Sequence, residues 1–132
     1  MPADSFHDEN PAMLEWQLSL VRNAEIQMLR VWGAGEFESD SFHELCDRFG
    51  LLVMQDFPIN VDGRGKNTRL WEKAAAWNIF RLRNHPSLVL WCGGNEFCAE
   101  TGDSAPLIVI AANLIRNLDG SREFMESSPV NG

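Results

Sequence analysis

Apolar positions along the chain fall into two alternating rhythms. Residues 11–24 (PAMLEWQLSLVRNA) place Met13, Trp16, Leu20 and Ala24 at helical spacing. Asn10 before Pro11 suits an N-cap followed by proline at the first helical position. The short apolar run Ile26–Trp32 comes next and stops at Gly33-Ala34-Gly35. A second helix is expected over 40–49 (DSFHELCDRF), capped by Asp40, with Phe42, Leu45, Cys46 and Phe49 on its buried side and Gly50 at its C-terminal stop. Leu51–Phe57 reads as a strand ended by Pro58, and the polar residues 58–68 read as a loop. A third helix (69–83), a strand (Leu88–Cys92) halted by Gly93-Gly94, a fourth helix (104–118) capped by Ser104, and a last strand (Glu123–Ser128) complete the pattern.

Strands separated by helices pair in parallel through right-handed crossovers. The fold class is therefore α/β with parallel βα repeats, which a doubly wound sheet and a (β/α)8 barrel both satisfy. In either, polar chemistry gathers at the carboxyl ends of the strands. Those ends carry Arg30 with Trp32, then Asp56, then Asn95 with Glu96. Arg30 suits a rim ion pair as well as a site, Asp56 suits a bond to its own loop backbone, and Trp32 suits simple apolar cover. Glu96 follows two glycines and an asparagine at the end of an apolar strand, where a carboxylate adds little to structure alone.

Composition narrows the classes. The chain has 132 residues, 45% hydrophobic and 23% charged, with a formal net charge of −8. That length is at most one domain at roughly 150 residues each. The negative balance argues against a nucleic-acid partner, since the mean field repels a polyanion. No apolar run approaches the ~20 residues that cross a bilayer, so no membrane partner is expected. The N-terminus shows no basic stretch leading into an apolar one, so no signal peptide is expected within the chain. Cys46, Cys92 and Cys98 are odd in number and read as thiols; they assign no compartment. His43 lacks the second histidine of a zinc-protease helix, Gly33-Ala34-Gly35 lacks the third glycine of a dinucleotide loop, and Asp62-Gly63-Arg64-Gly65 lacks calcium-loop spacing. No metal and no cofactor is expected.

Three blocks, "MLRVWGAG", "LCDRFGLLVMQDF" and "RLRNHPSLVLWCGGNE", resemble glycoside hydrolase family 2, in particular its β-mannosidase-like branch. "PADSF", "RNAEIQ" and "SREFMESSPVNG" extend the likeness over nearly the whole chain. The resemblance implies a (β/α)8 catalytic barrel that hydrolyses terminal β-linked sugars of oligosaccharides or glycoconjugates with retention. It implies that Glu96 is the general acid/base, that Asn95 bonds the sugar 2-hydroxyl, that Arg30 supports the nucleophile, and that Trp32 and Asp56 line the sugar subsite.

The family takes its nucleophilic glutamate from a later strand. Residues 1–132 match about strands two to five, roughly half of a barrel of about 250 residues. Glu100, Glu123 and Glu126 match no nucleophile motif. The chain alone is therefore expected to be inactive, and its open barrel edges are expected to self-associate. Ala34 in place of a middle glycine, Gln27 in place of an asparagine, and a short 58–68 loop depart from the family pattern. They leave β-galactosidase, β-glucuronidase and exo-β-glucosaminidase types, or a non-catalytic carbohydrate-binding half barrel, as rival readings.

Overall fold

A computed structural model describes residues 10–59, 68–96 and 105–129. In chain order the elements are α1 (Pro11–Asn23), β1 (Met28–Val31), α2 (Asp40–Phe49), β2 (Leu52–Asp56), α3 (Thr68–Leu82), β3 (Leu88–Cys92), α4 (Ala105–Leu118) and β4 (Glu123–Met125). The strands form one parallel sheet in the order β1-β2-β3-β4. The unclosed arc of alternating strands and helices is that of a partial barrel.

Local chemistry accounts for most boundaries. Asn10 caps α1, its Oδ1 accepting from the Ala12 N–H at 3.1 Å, with Pro11 in the first turn. For α2 the cap is Ser39 rather than the expected Asp40. The Ser39 Oγ accepts from the Phe42 N–H at 3.2 Å, while Asp40 begins the helix and pairs with Arg81 at 2.6 Å. Gly50 ends α2 at φ 67°, a left-handed conformation that glycine adopts without strain. The Ser104 cap lies outside the described residues. The first and last strands are shorter than their apolar runs. Past β4 the chain bends and rejoins the sheet only at the Asn95–Ser128 bridge.

The helical spacing in α1 picks out a stripe that the fold does not bury. Met13, Trp16 and Leu20 are 51%, 56% and 47% exposed, and the buried face is Leu14 and Leu18 instead. Positions 13-16-20 and 14-18-21 both satisfy helical spacing, so periodicity alone cannot choose between adjoining stripes. Packing chose the leucines, which reach the common core with Val21.

The sheet has two unlike faces. Val31, Gln55, Trp91 and Phe124 form one cross-strand row toward the helices. There Phe57 stacks on Trp91 with centroids 5.5 Å apart and also meets Trp71 and Phe37. The opposite face carries Met28 beside Leu52, then Arg30, Met54 and Leu90, and at the top Asp56, Cys92 and Met125. Met28 and Leu52 are each 41% exposed on it, because the far wall that would cover a barrel interior is not among these elements.

The amino end of the sheet is tied by charge. Arg122 donates to the carbonyls of Leu88, Arg83 and His85 and pairs with Asp119, which also accepts from Trp91 Nε1 at 2.7 Å. His85 Nδ1 lies 2.7 Å from Asp47 Oδ2, and the Ser87 N–H donates to Asp47 Oδ1 at 2.9 Å. Cys46 and Cys92 are buried free thiols, and burial pushes each up to about 12, so they stay protonated and inert. Cys98 lies outside the described residues.

Candidate active site

At the carboxyl edge, three of the five candidate side chains form one network. Arg30 reaches across from β1 to β2. Its Nη2 donates to Asp56 Oδ2 at 2.7 Å, and its Nε lies 3.2 Å from both carboxylate oxygens. The same Nη2 donates to Asn95 Oδ1 at 2.9 Å. Asp56 also accepts from the Gly33 N–H at 3.0 Å and is fully buried, whereas the Arg30 side chain keeps 34% of its surface. The Asp56 hydrogen bond holds the Arg30 guanidinium above its ordinary range, against the cost of burial, and the Glu96 charge adds to it. Arg30 is thus a fixed cation facing the open side of the sheet.

Glu96 follows directly. It is exposed, and its backbone adopts φ 48°, an uncommon conformation for a residue with a Cβ. The surrounding backbone enforces that turn. The Glu96 N–H donates to the Ser128 carbonyl at 3.1 Å, the Ser128 N–H donates to the Gly94 carbonyl at 3.1 Å, and the Asn95 N–H donates to the Ile59 carbonyl at 3.0 Å. Glycine is required beneath it. A Cβ on Gly93 would lie 2.3 Å from the Glu126 carbonyl oxygen, and one on Gly33 would lie 2.8 Å from that of Phe57. The ends of β1, β2 and β3 are therefore pressed together where the polar groups converge. Trp32 stands 50% exposed just past β1, a flat apolar surface at the same rim.

Arg30 does form an ion pair, across strands and with Asn95 attached, whereas Asp56 bonds the Gly33 N–H beyond β1 and not its own loop backbone. Asp56 is enclosed by Arg30 and Gly33, so its carboxylate contributes by holding those groups. Sequence reasoning missed two contributors. The Gly33 N–H works through its backbone, which leaves no mark on a side-chain pattern. The Ser127-Ser128 segment joins the site through tertiary pairing with the backbone around Asn95.

A separate groove runs between residues 35–40 and α3, lined by Glu36, Phe37, Asp40, Trp77, Asn78 and Arg81. It lies outside the strand-end network. Among the described residues no group of three potential metal ligands exists, and no helix is long and apolar enough to cross a membrane.

Known proteins with similar features support one family. The profile "Glycosyl hydrolases family 2, TIM barrel domain" matches residues 12–128. A beta-mannosidase of Bos taurus is 34% identical over 157 aligned residues that take in 100% of this chain and 17% of that protein. A beta-mannosidase B of Aspergillus clavatus is 39% identical over 101 residues, 73% of this chain and 12% of its own length. The crystal structure of a beta-D-mannosidase from Dictyoglomus thermophilum superposes with a TM-score of 0.83 at 34% identity, covering 100% of this chain and 18% of that one. The Amycolatopsis orientalis exo-chitosanase CsxA shares the fold, with a TM-score of 0.75 at 18% identity. The chain thus spans about a sixth of the length of the curated relatives that cover it fully. Its four parallel strands, its full-length likeness to beta-mannosidases at 34% identity and its match over residues 12–128 place it in the TIM barrel domain family of the family 2 glycosyl hydrolases.

Proposed function

We propose that this chain is the proton-donor half of the catalytic barrel of a retaining β-mannosidase-type glycoside hydrolase. The observation that carries the reading is the convergence of Arg30, Asp56 and Asn95 on one point of the sheet edge, with exposed Glu96 next in the chain. A glycosidic oxygen leaves poorly unless protonated as its bond breaks. Glu96 at the rim would hand over that proton and later take one from the attacking water. Asn95 would donate to the sugar 2-hydroxyl, a bond that tightens as the ring approaches an oxocarbenium ion. Arg30, fixed by Asp56 and still partly exposed, would keep an opposing carboxylate ionised. Trp32 would offer a stacking face to the sugar. The substrate class is a terminal β-linked mannoside, supported by the two mannosidase likenesses at 34% identity.

A retaining mechanism needs a second carboxylate about 5–5.5 Å from the first. Glu123 opens β4, Glu126 follows it, and neither matches a nucleophile motif, so the 132-residue chain is proposed to be inactive alone.

The test uses the full-length protein that carries this segment. Glu96→Ala is expected to slow hydrolysis of an aryl β-mannoside with a poor leaving group by about 10²–10⁴-fold. A dinitrophenyl mannoside, whose leaving group needs no proton, should be far less affected at the glycosylation step. Equal losses on both substrates in that step would reject Glu96 as the proton donor. Turnover by the isolated chain, abolished by Glu96→Gln, would reject the inactivity of the fragment.

A further inference from the structure

We propose that Asp56 is a positioning residue that, through Arg30, dictates which end of the Asn95 amide meets the ligand. The proposal rests on the functional reading above and adds a role that the strand-end pattern does not supply.

Arginine carries donors and no acceptor. Its Nη2 lies 2.9 Å from the Asn95 side chain, so the atom turned toward it must be the carbonyl oxygen, as the structure has it. The Asn95 NH2 group is thereby turned the other way, as a donor. The same Nη2 lies 2.7 Å from Asp56 Oδ2, and the Arg30 Nε lies 3.2 Å from both oxygens of that carboxylate. The guanidinium plane is held along one edge by Asp56, and its remaining reach goes to Asn95. Asp56 is itself held by the Gly33 N–H at 3.0 Å and has no exposed surface, so it acts through Arg30 rather than on a sugar. The Asn95 backbone is fixed independently, by its N–H to the Ile59 carbonyl and by its bridge to Ser128. The free variable is the amide flip, and the Asp56–Arg30 pair sets it. The ligand group it selects is a hydroxyl that accepts a hydrogen bond next to the reacting carbon.

With Asp56→Asn the guanidinium loses its charged anchor, and the Asn95 amide gains the freedom to turn end for end and offer an acceptor instead. The experiment compares kcat/KM for an aryl β-mannoside and its 2-deoxy analogue in the full-length protein, each variant relative to wild type. Asn95→Ala should lower the preference for the 2-hydroxy substrate by about tenfold or more, the range of one hydrogen bond made in the transition state. Asp56→Asn and Arg30→Gln should lower that same preference, the second because glutamine offers both a donor and an acceptor to the Asn95 amide, and Asp56→Glu should keep part of it. A merely structural role would lower both rates in parallel and leave their ratio unchanged.

A wild-type ratio in Asp56→Asn, with a collapsed ratio in Asn95→Ala, overturns the proposal and leaves the functional reading standing. A wild-type ratio in Asn95→Ala overturns the Asn95 assignment and this proposal with it, while Glu96 is judged separately by its leaving-group test. Should Asp56→Asn fail to fold, Arg30→Gln reads out the same ratio.

Discussion

Two residues show how position decides what a side chain costs. His43 lies wholly within the α2 side of the core, neither ring nitrogen has a partner among the described residues, and burial lowers it to about 4. The His85 ring 5.3 Å away and Arg81 push in the same direction, while Asp47 and Asp40 oppose them. In the unfolded chain a histidine titrates near 6.5. Between those values the unfolded state binds more protons, so stability is full above about pH 6.5 and falls as pH drops toward about 4. The loss should be of the order of 3 kcal/mol. Urea denaturation at stepped pH checks it, with His43→Leu expected to flatten that window; an unchanged slope would remove His43 as its cause. Asp47, whose bonds from Ser87 and His85 outweigh its burial and hold it below the usual carboxylate range, acts at still lower pH. Gly33 is the backbone counterpart. Gly33→Ala sets a Cβ 2.8 Å from the Phe57 oxygen, 3.2 Å from the Ile59 oxygen and 3.3 Å from the Asn95 nitrogen, all of them main chain. A cost of about 1–3 kcal/mol is expected, whereas Ala34→Gly, at an exposed position, should stay within about 1 kcal/mol. Thermal melts of both variants separate these outcomes. Glu96 and Asn95 were legible in the sequence because the two preceding glycines announce a close approach. Asp56 was visible only as a charge at a strand end, because its enclosure depends on a residue 26 positions away.

Helix and strand order followed directly from apolar periodicity, because every element here buries one face against a common layer. Which stripe of a helix is buried did not follow. In α1 the apolar residues ring much of the surface, and only the neighbouring α2 and the sheet select Leu14 and Leu18. The consequence is testable in the isolated chain: Leu18→Ala should cost about 2–5 kcal/mol, and Trp16→Ala, at 56% exposure, less than about 1 kcal/mol by chemical denaturation. Equal costs would mean that α1 buries a different face. Arg122 shows a second kind of element-scale control. Its sequence position two residues after Gly120 says nothing of its partners, yet its guanidinium gathers carbonyls from the end of α3 and the start of β3. Those carbonyls are left over where a helix stops and a strand begins, and a rigid fork of donors satisfies several at once. Asp119 fixes that fork and is in turn held by Trp91 and Ser121, whose bonds outweigh its burial and lower its proton affinity.

At the scale of the molecule, four αβ units make an arc whose two edge strands, β1 and β4, have no outer partner strand among the described residues, and whose inner face leaves Met28 and Leu52 in solvent. The unit count was legible because each unit carries its own periodicity. What closes the arc was not, since closure depends on strands that pair with these edges rather than on any pattern within them. Two forces then oppose each other in the isolated chain. Exposed ladder groups and apolar side chains favour strand addition between copies, while a net charge of −8 makes the copies repel. Repulsion is screened over a Debye length of about 8 Å at physiological salt and about 3 Å at 1 M, whereas edge pairing and apolar contact act at touching distance. Added salt should therefore promote association, the reverse of what a charge-paired interface would show. Sedimentation velocity at rising concentration and at low and high NaCl reads this directly. The sedimentation coefficient should increase with both, and Leu52→Lys on the inner face should reduce the increase by adding a charge where copies would meet. A compact monomer at every concentration and salt would mean that the inner face is covered from within the chain. The inactivity proposed for the fragment would stand all the same, because it rests on the missing nucleophile motif and not on the open edges.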